Sequence, residues 1–364
     1  MIDEKLLKSE ERAIFNLRSL YRKYGYAPFK MSKFEEYDLY VRNKDFLVSD
    51  KVITFNDTNG KLMALKPDVT LSIIKNSDDA PNEKKKVFYN ENVYRISKNT
   101  HRYKEIMQAG LECIGNLDFY DIYEVINLAA ETLAQISDSF VLNVSHLGFL
   151  QKILDDVCPD AGFSEKAIRL IEEKNSHDLV KLCKEYGIED DKSQVLSTII
   201  QTSGERNRVI SQIEKICSNE DLNELRAISE MLEISPYSDK ILFDFSVVNN
   251  MNYYSGFVFR GFVDGICDGV LAGGQYDRMM KKMGRKSGAI GFALYLDLLE
   301  QLRTEKPGYD VDVLLVYDGK TGIKTVADKV NELIKSGKTV SAQKTVPEKL
   351  RYKEIVDLRR DSNA

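Results

Sequence analysis

The chain has 364 residues, 43% of them hydrophobic and 30% charged, with a formal net charge of -5. That length suffices for two or three domains with cores of their own, and no apolar run nears the roughly 20 residues of a membrane span. The five cysteines (Cys113, Cys158, Cys183, Cys217, Cys267) form no CxxC pair and the three histidines stand apart; this argues against a metal site or disulfide framework and for reduced thiols in a cytoplasmic protein.

The N-terminus is charged from Asp3 onward, so no signal peptide is expected. An acidic chain is also a poor match for a protein whose main work is gripping nucleic acid, because phosphate contacts call for a basic excess. Residues 4–24 place Leu6, Leu7, Ala13, Ile14, Leu17, Leu20 and Tyr21 at helical spacing, and Gly25 stops that helix. Val52–Phe55 and Leu62–Leu65 flank Asp57-Thr58-Asn59-Gly60, whose Asn-Gly pair signals a hairpin. In Lys66-Pro67-Asp68-Val69-Thr70, either Asp68 or Thr70 is suited to cap the helix that runs on through Ile74.

Lys86–Arg95 reads as a strand, followed by a polar loop with Lys98, His101 and Arg102, then a second strand over Lys104–Gly115. Alternation puts Gln108, Gly110 and Glu112 on one face. A carboxamide, a gap and a carboxylate suit recognition of an ammonium group, with the glycine leaving room for the ligand. Asp121–Leu133 is an amphipathic helix and Phe140–Val144 a strand. From residue 146 to 234 the pattern is helical, and Ile241–Ser246 resumes the sheet.

Tyr253–Arg260 and Gly273–Asp277 then predict two strands joined by a Gly-rich connection, with the phenols of Tyr254 and Tyr276 available to a small ligand. Ala289–Leu299 runs from strand into helix, and Lys306-Pro307-Gly308 reads as a linker. Beyond it, Asp312–Tyr317, Ile323–Ser336 and Thr339–Gln343 predict a small strand–helix–strand unit, with a Lys- and Arg-rich end expected to fray.

These pieces, in this order, resemble the histidyl-tRNA synthetases and their class II aminoacyl-tRNA synthetase relatives. Leu65-Lys66-Pro67-Asp68-Val69-Thr70 is similar to the family's Leu-Arg-Pro-Glu/Asp-x-Thr, and Val93-Tyr94-Arg95 through Glu112 resembles motif 2 and the strand after it. Tyr253-Tyr254-Ser255-Gly256-Phe257-Val258-Phe259 is similar to Tyr-Tyr-Thr-Gly-x-Val-Phe, Gly273–Asp277 to Gly-Gly-Arg-Tyr-Asp, and Gly291–Leu299 to motif 3. The resemblance implies an α+β fold: an antiparallel sheet flanked by helices over 1–145 and 235–305, a helical insertion at 146–234, and a shortened C-terminal α/β segment at 309–364.

By the same resemblance Asp68, Thr70, Gln108, Glu112, Tyr254 and Tyr276 would surround histidine, and Arg95 and Arg102 would hold phosphate. No metal or cofactor is implied. The adenylation machinery departs from the family. Asn249 stands where synthetases carry the arginine that contacts carboxylate and phosphate, Leu298 where motif 3 carries its arginine, and Ser97 where motif 2 carries an acidic residue. Removing one such cation from a developing phosphorane costs about 3–4 kcal/mol, or 10²–10³ in rate.

A histidine pocket without its catalytic cations resembles a non-catalytic branch of the family, the regulatory subunits of ATP phosphoribosyltransferase. That likeness implies a homodimer through the class II core, assembly with the short-form catalytic subunit, and histidine feedback on the first step of histidine biosynthesis. An active synthetase, or a tRNA-binding paralogue using the basic loop of Lys98, His101, Arg102 and Lys104, are the alternatives.

Overall fold

The structure is a computed structural model that describes residues 9–44, 52–77, 83–96, 101–218, 222–248, 253–302 and 308–359. Asn249, Ser97, Lys98 and the Lys306-Pro307 step lie outside the described residues. The chain divides into two compact units, Met1–Leu302 and Arg303–Ala364.

In the first unit, α1 (Ser9–Lys23) leads to β1 (Ala27–Pro28), β2 (Phe34–Glu36) and α2 (Tyr37–Arg42). The hairpin expected around Asn59-Gly60 is β3 (Thr54–Asn56) and β4 (Leu62–Leu65). Gly60 adopts φ +78, and Asp57 Oδ1 accepts from the backbone N–H of Asn59 and Lys61 at 2.8 Å each. After α3 (Thr70–Lys75), the two longest strands, β5 (Lys85–Ile96) and β6 (Tyr103–Gly115), pair antiparallel along their length. Helix α4 (Phe119–Ala134) opens on a capping box in which Asp118 and Asp121 bond each other's backbone N–H.

Strand β7 (Phe140–His146) is followed by α5 (Leu147–Val157), α6 (Ala161–Glu172), α7 (Ser176–Glu185), α8 (Asp190–Gln201), β8 (Ser203–Gly204), α9 (Arg206–Ile213) and α10 (Asn223–Glu233). The sheet then resumes with β9 (Ile241–Asp244), β10 (Phe257–Val263), β11 (Leu271–Gln275), α11 (Asp277–Lys282) and β12 (Gly288–Tyr295). Strand β12 runs into a 3₁₀ helix, Leu296–Gln301.

A nine-stranded sheet has the order β1-β5-β6-β12-β11-β10-β7-β9-β8, and β2-β4-β3 forms a separate three-stranded sheet. Pairing in the large sheet is antiparallel except at β1–β5 and β7–β9. One face packs Phe88, Leu111, Phe259, Phe292 and Leu294 against α1 and α4 in a core that continues through Leu150, Phe163 and Leu179 of the helical segment. The opposite face carries a second core, in which Val87, Tyr89 and Ile114 meet Ile73 and Ile74 of α3 and Met279 and Met280 of α11. Because side chains alternate across a strand, the first core takes one residue set and leaves Gln108, Gly110 and Glu112 to the other face.

The second unit orders β13 (Val311–Val316), α12 (Ile323–Lys335), β14 (Val340–Gln343) and β15 (Tyr352–Asp357) into a parallel sheet β14-β13-β15. Strand β15 forms within the Lys- and Arg-rich end expected to fray, while residues 360–364 lie outside the described residues. Pairing to buried β13, with Ile355 opposite Leu314 and Val356 opposite Leu315, supplies order that local composition does not reveal.

Candidate functional site

Register turns the second face of the large sheet into a grid. One row runs Val87, Glu112, Gly291, Gly274, Val258, Ser145; the next runs Tyr89, Gly110, Ala293, Ala272, Arg260, Asn143. A third begins Glu91, Gln108, Tyr295. The floor between β6 and β10 is therefore made of small residues, with functional side chains standing at its edges.

Glu112 is the centre of the first row. It is 2% exposed, and its carboxylate accepts from the Thr70 hydroxyl at 2.9 Å and the Tyr276 hydroxyl at 2.6 Å. Burial pushes its carboxyl up to about 8, against the pull of those two hydroxyl donors, and the nearby charge of Asp68 adds to the rise. A Cβ at Gly291 would sit 1.8 Å from Glu112 Oε2, so glycine is required where the carboxylate lies across β12.

Thr70 begins α3 and Asp68 precedes it. Asp68 Oδ1 accepts from the Leu71 N–H at 2.9 Å, so Asp68, one residue before the N-cap Val69, satisfies a first-turn N–H and the Thr70 hydroxyl is spent on Glu112. Asp68 is itself 9% exposed, and burial raises its carboxyl against the pull of the Leu71 N–H and of Arg95. Gln108 is buried at 3% two rows along β6 from Glu112. The aromatic wall is continuous: the Tyr253 ring centroid lies 4.6 Å from that of Tyr254 and 5.8 Å from that of Tyr276. Desolvation holds all three phenols well above their usual range, so they act as neutral donors and acceptors.

The structure thus brings Asp68, Thr70, Glu112 and Tyr276 into one polar cluster, with Gln108 on its face and Tyr254 in the wall. Arg95 reaches the edge of the cluster, where its Nε donates to the Pro67 carbonyl at 3.0 Å. Arg102, the residue before β6, is exposed. Two residues were not singled out from sequence. Tyr253, 8% exposed, completes the wall. Tyr89 lies directly opposite Gly110, and a Cβ at Gly110 would sit 2.6 Å from its hydroxyl. The gap at Gly110, read as room for a ligand, is filled by that phenol, which donates to the Phe292 carbonyl at 3.3 Å.

A buried carboxyl ringed by hydroxyls, a carboxamide and aromatic faces suits a small cation that pairs with the ionised Glu112 and stacks on tyrosine. Where synthetases carry the motif 3 arginine, the 3₁₀ helix presents Leu298, packed against the first core. Among the described residues no group of three or more His, Cys, Asp or Glu is placed to hold a metal ion, and no helix is long and apolar enough to cross a membrane.

Residues 3–299 match the family model described as histidyl-tRNA synthetase. An ATP phosphoribosyltransferase regulatory subunit from Acetivibrio thermocellus is 28% identical over 340 residues, covering 89% of this chain and 80% of the relative. Among solved structures, an ATP phosphoribosyltransferase regulatory subunit/histidyl-tRNA synthetase from Bacillus halodurans aligns with a TM-score of 0.77 at 22% identity, covering 96% of this chain and 93% of that one. A chain of the ATP phosphoribosyl transferase (HisG:HisZ) complex from Thermotoga maritima aligns with a TM-score of 0.62 at 20% identity, covering 79% and 97%. At these identities the two structures speak for the fold, an α+β class II synthetase-like body.

Proposed function

The chain belongs to the histidyl-tRNA synthetase family, and we propose that within it this protein is a non-catalytic regulatory subunit of ATP phosphoribosyltransferase. In this reading it assembles with the short-form catalytic subunit, dimerises through its class II core, and carries the histidine signal that governs the first step of histidine biosynthesis. The observation that carries the reading is that the Thr70–Glu112–Tyr276 cluster is intact while the hydrocarbon Leu298, packed against the other core, takes the place where adenylation requires a cation. The kinship of name and coverage with the Acetivibrio thermocellus regulatory subunit supports it.

Asp68, Thr70, Gln108, Glu112, Tyr254 and Tyr276 form the histidine site. Glu112 meets a cationic nitrogen of the ligand, and Thr70 and Tyr276 hold its carboxylate in place for that nitrogen. Regulation follows if histidine binds one conformation of the assembly more tightly than another, since only differential affinity shifts an equilibrium. The test is co-expression with a short-form phosphoribosyltransferase. A stable complex that gains phosphoribosyltransferase activity is expected; two proteins that elute separately, with no gain, contradict the assignment.

The retained histidine cluster equally suits an active synthetase. That reading requires histidine-dependent ATP–pyrophosphate exchange, and no exchange at high protein concentration eliminates it.

A further inference from the structure

The second row of the grid ends on two side chains the amino-acid site does not use, Arg260 of β10 and Asn143 of β7, directly paired across the strands. They line a cavity of about 290 Å³ whose far wall is the turn after α6, with Glu172 and Lys174, and the end of β9, with Asp244 and Ser246. The charges there are unevenly satisfied. Asp244, 6% exposed, takes the Lys174 ammonium at 2.8 Å and the Ser246 N–H and hydroxyl at 3.0 and 2.7 Å, so that ion pair is closed. Lys174 holds this contact from φ +52, a left-handed conformation disfavoured for a side chain.

The Arg260 guanidinium makes no hydrogen bond or ion pair among the described residues, and it lies over the ring of Phe262, 5.5 Å from its centroid. The Asn143 carboxamide is likewise unpaired among them. One pair further along the same face the Ser145 hydroxyl is buried at 0% without a partner. Gly269 makes room for the arginine, because a Cβ there would lie 2.3 Å from Arg260 Nε. A half-buried guanidinium seated against a glycine, beside an unpaired amide and with the neighbouring carboxylate already neutralised, lacks an acceptor-rich counterpart.

We propose that this cavity is a second ligand site, distinct from the Glu112 cluster, which binds the oxyanion of a small metabolite, carboxylate or phosphoryl, through Arg260 and Asn143. Arginine's planar fork matches both kinds of oxyanion bidentately. The carboxylate of Glu172 on the rim and the closed Lys174–Asp244 pair disfavour a polyphosphate, so the ligand carries a single anionic head.

The experiment is calorimetric titration of the full chain with inorganic phosphate and, separately, with acetate, at constant ionic strength. Saturable binding of at least one is expected, and the preferred anion identifies the head group. Arg260→Gln should weaken it by about tenfold or more, the worth of a charge-assisted pair. Gly269→Ala keeps every charge but displaces the guanidinium, so it should weaken binding as well and guards against a folding defect in the first variant. Histidine binding at Glu112 should survive both. No saturable binding of either anion, or binding that Arg95→Gln abolishes while Arg260→Gln and Gly269→Ala do not, would overturn the proposal.

Discussion

In the proposed histidine site, Glu112 is where the proton and the ligand compete. Its carboxyl is raised from 4.5 to about 8 mainly by burial, so in the free protein it is largely protonated below that pH, and a cationic ligand must displace the proton to pair with it. Histidine affinity should therefore climb with pH, by up to about tenfold per unit, until it levels near pH 8. Calorimetry across pH 6–9 should show this, and Glu112→Gln should bind weakly and lose the slope. The stability consequence has the opposite sign. A carboxyl whose folded value lies above its unfolded one contributes stability that is present at low pH and lost as pH rises through about 8. The ligand-free protein should thus melt at lower temperature at pH 9 than at pH 6, and histidine should recover part of the loss. Gly291→Ala tests the same residue from its neighbour. The new methyl overlaps Glu112 Oε2 and must break the bonds to Thr70 and Tyr276, at a cost of about 1–3 kcal/mol. A thermal melt should show that loss together with weakened histidine binding.

Among the elements, those fixed by local chemistry were legible and those fixed by distant partners were not. Alternation alone put Gln108 and Glu112 on one face of β6, and the Asn59-Gly60 pair gave the β3–β4 hairpin. The placement of Tyr89 over Gly110 depends on the β5–β6 register, which no short window of sequence states. Strand β15 was missed for a related reason: it exists through parallel pairing to β13, a non-local contact. The join between the helical segment and the sheet was equally hidden. Arg206 of α9, 3% exposed, donates to the carbonyls of Ser238 and Ile241 at 2.6 Å each and to the Ser238 hydroxyl at 2.8 Å. An arginine opening a helix looks like a surface residue, yet here it satisfies the backbone entering β9. Arg206→Met should leave those carbonyls unpaired and cost about 2–4 kcal/mol in urea unfolding. A loss below about 0.5 kcal/mol would mean that water replaces it.

For the whole molecule, the proposed function means that a synthetase-like body keeps the part of its sheet face suited to an amino acid and lacks the cations that would activate it. The sheet and its two cores hold Glu112 at the meeting of β6, α3 and the β11–α11 turn, so ligand charge at one carboxylate bears on three elements at once. In that reading the body transmits histidine binding to a partner without chemistry of its own. The most direct measurement is the histidine inhibition curve of the reconstituted complex with a short-form ATP phosphoribosyltransferase, beside the same complex carrying Glu112→Ala. Wild-type complex should be inhibited by histidine, and the Glu112→Ala complex should assemble equally well by size-exclusion chromatography yet need at least tenfold more histidine for the same inhibition. Superimposable curves from the two complexes would contradict the account.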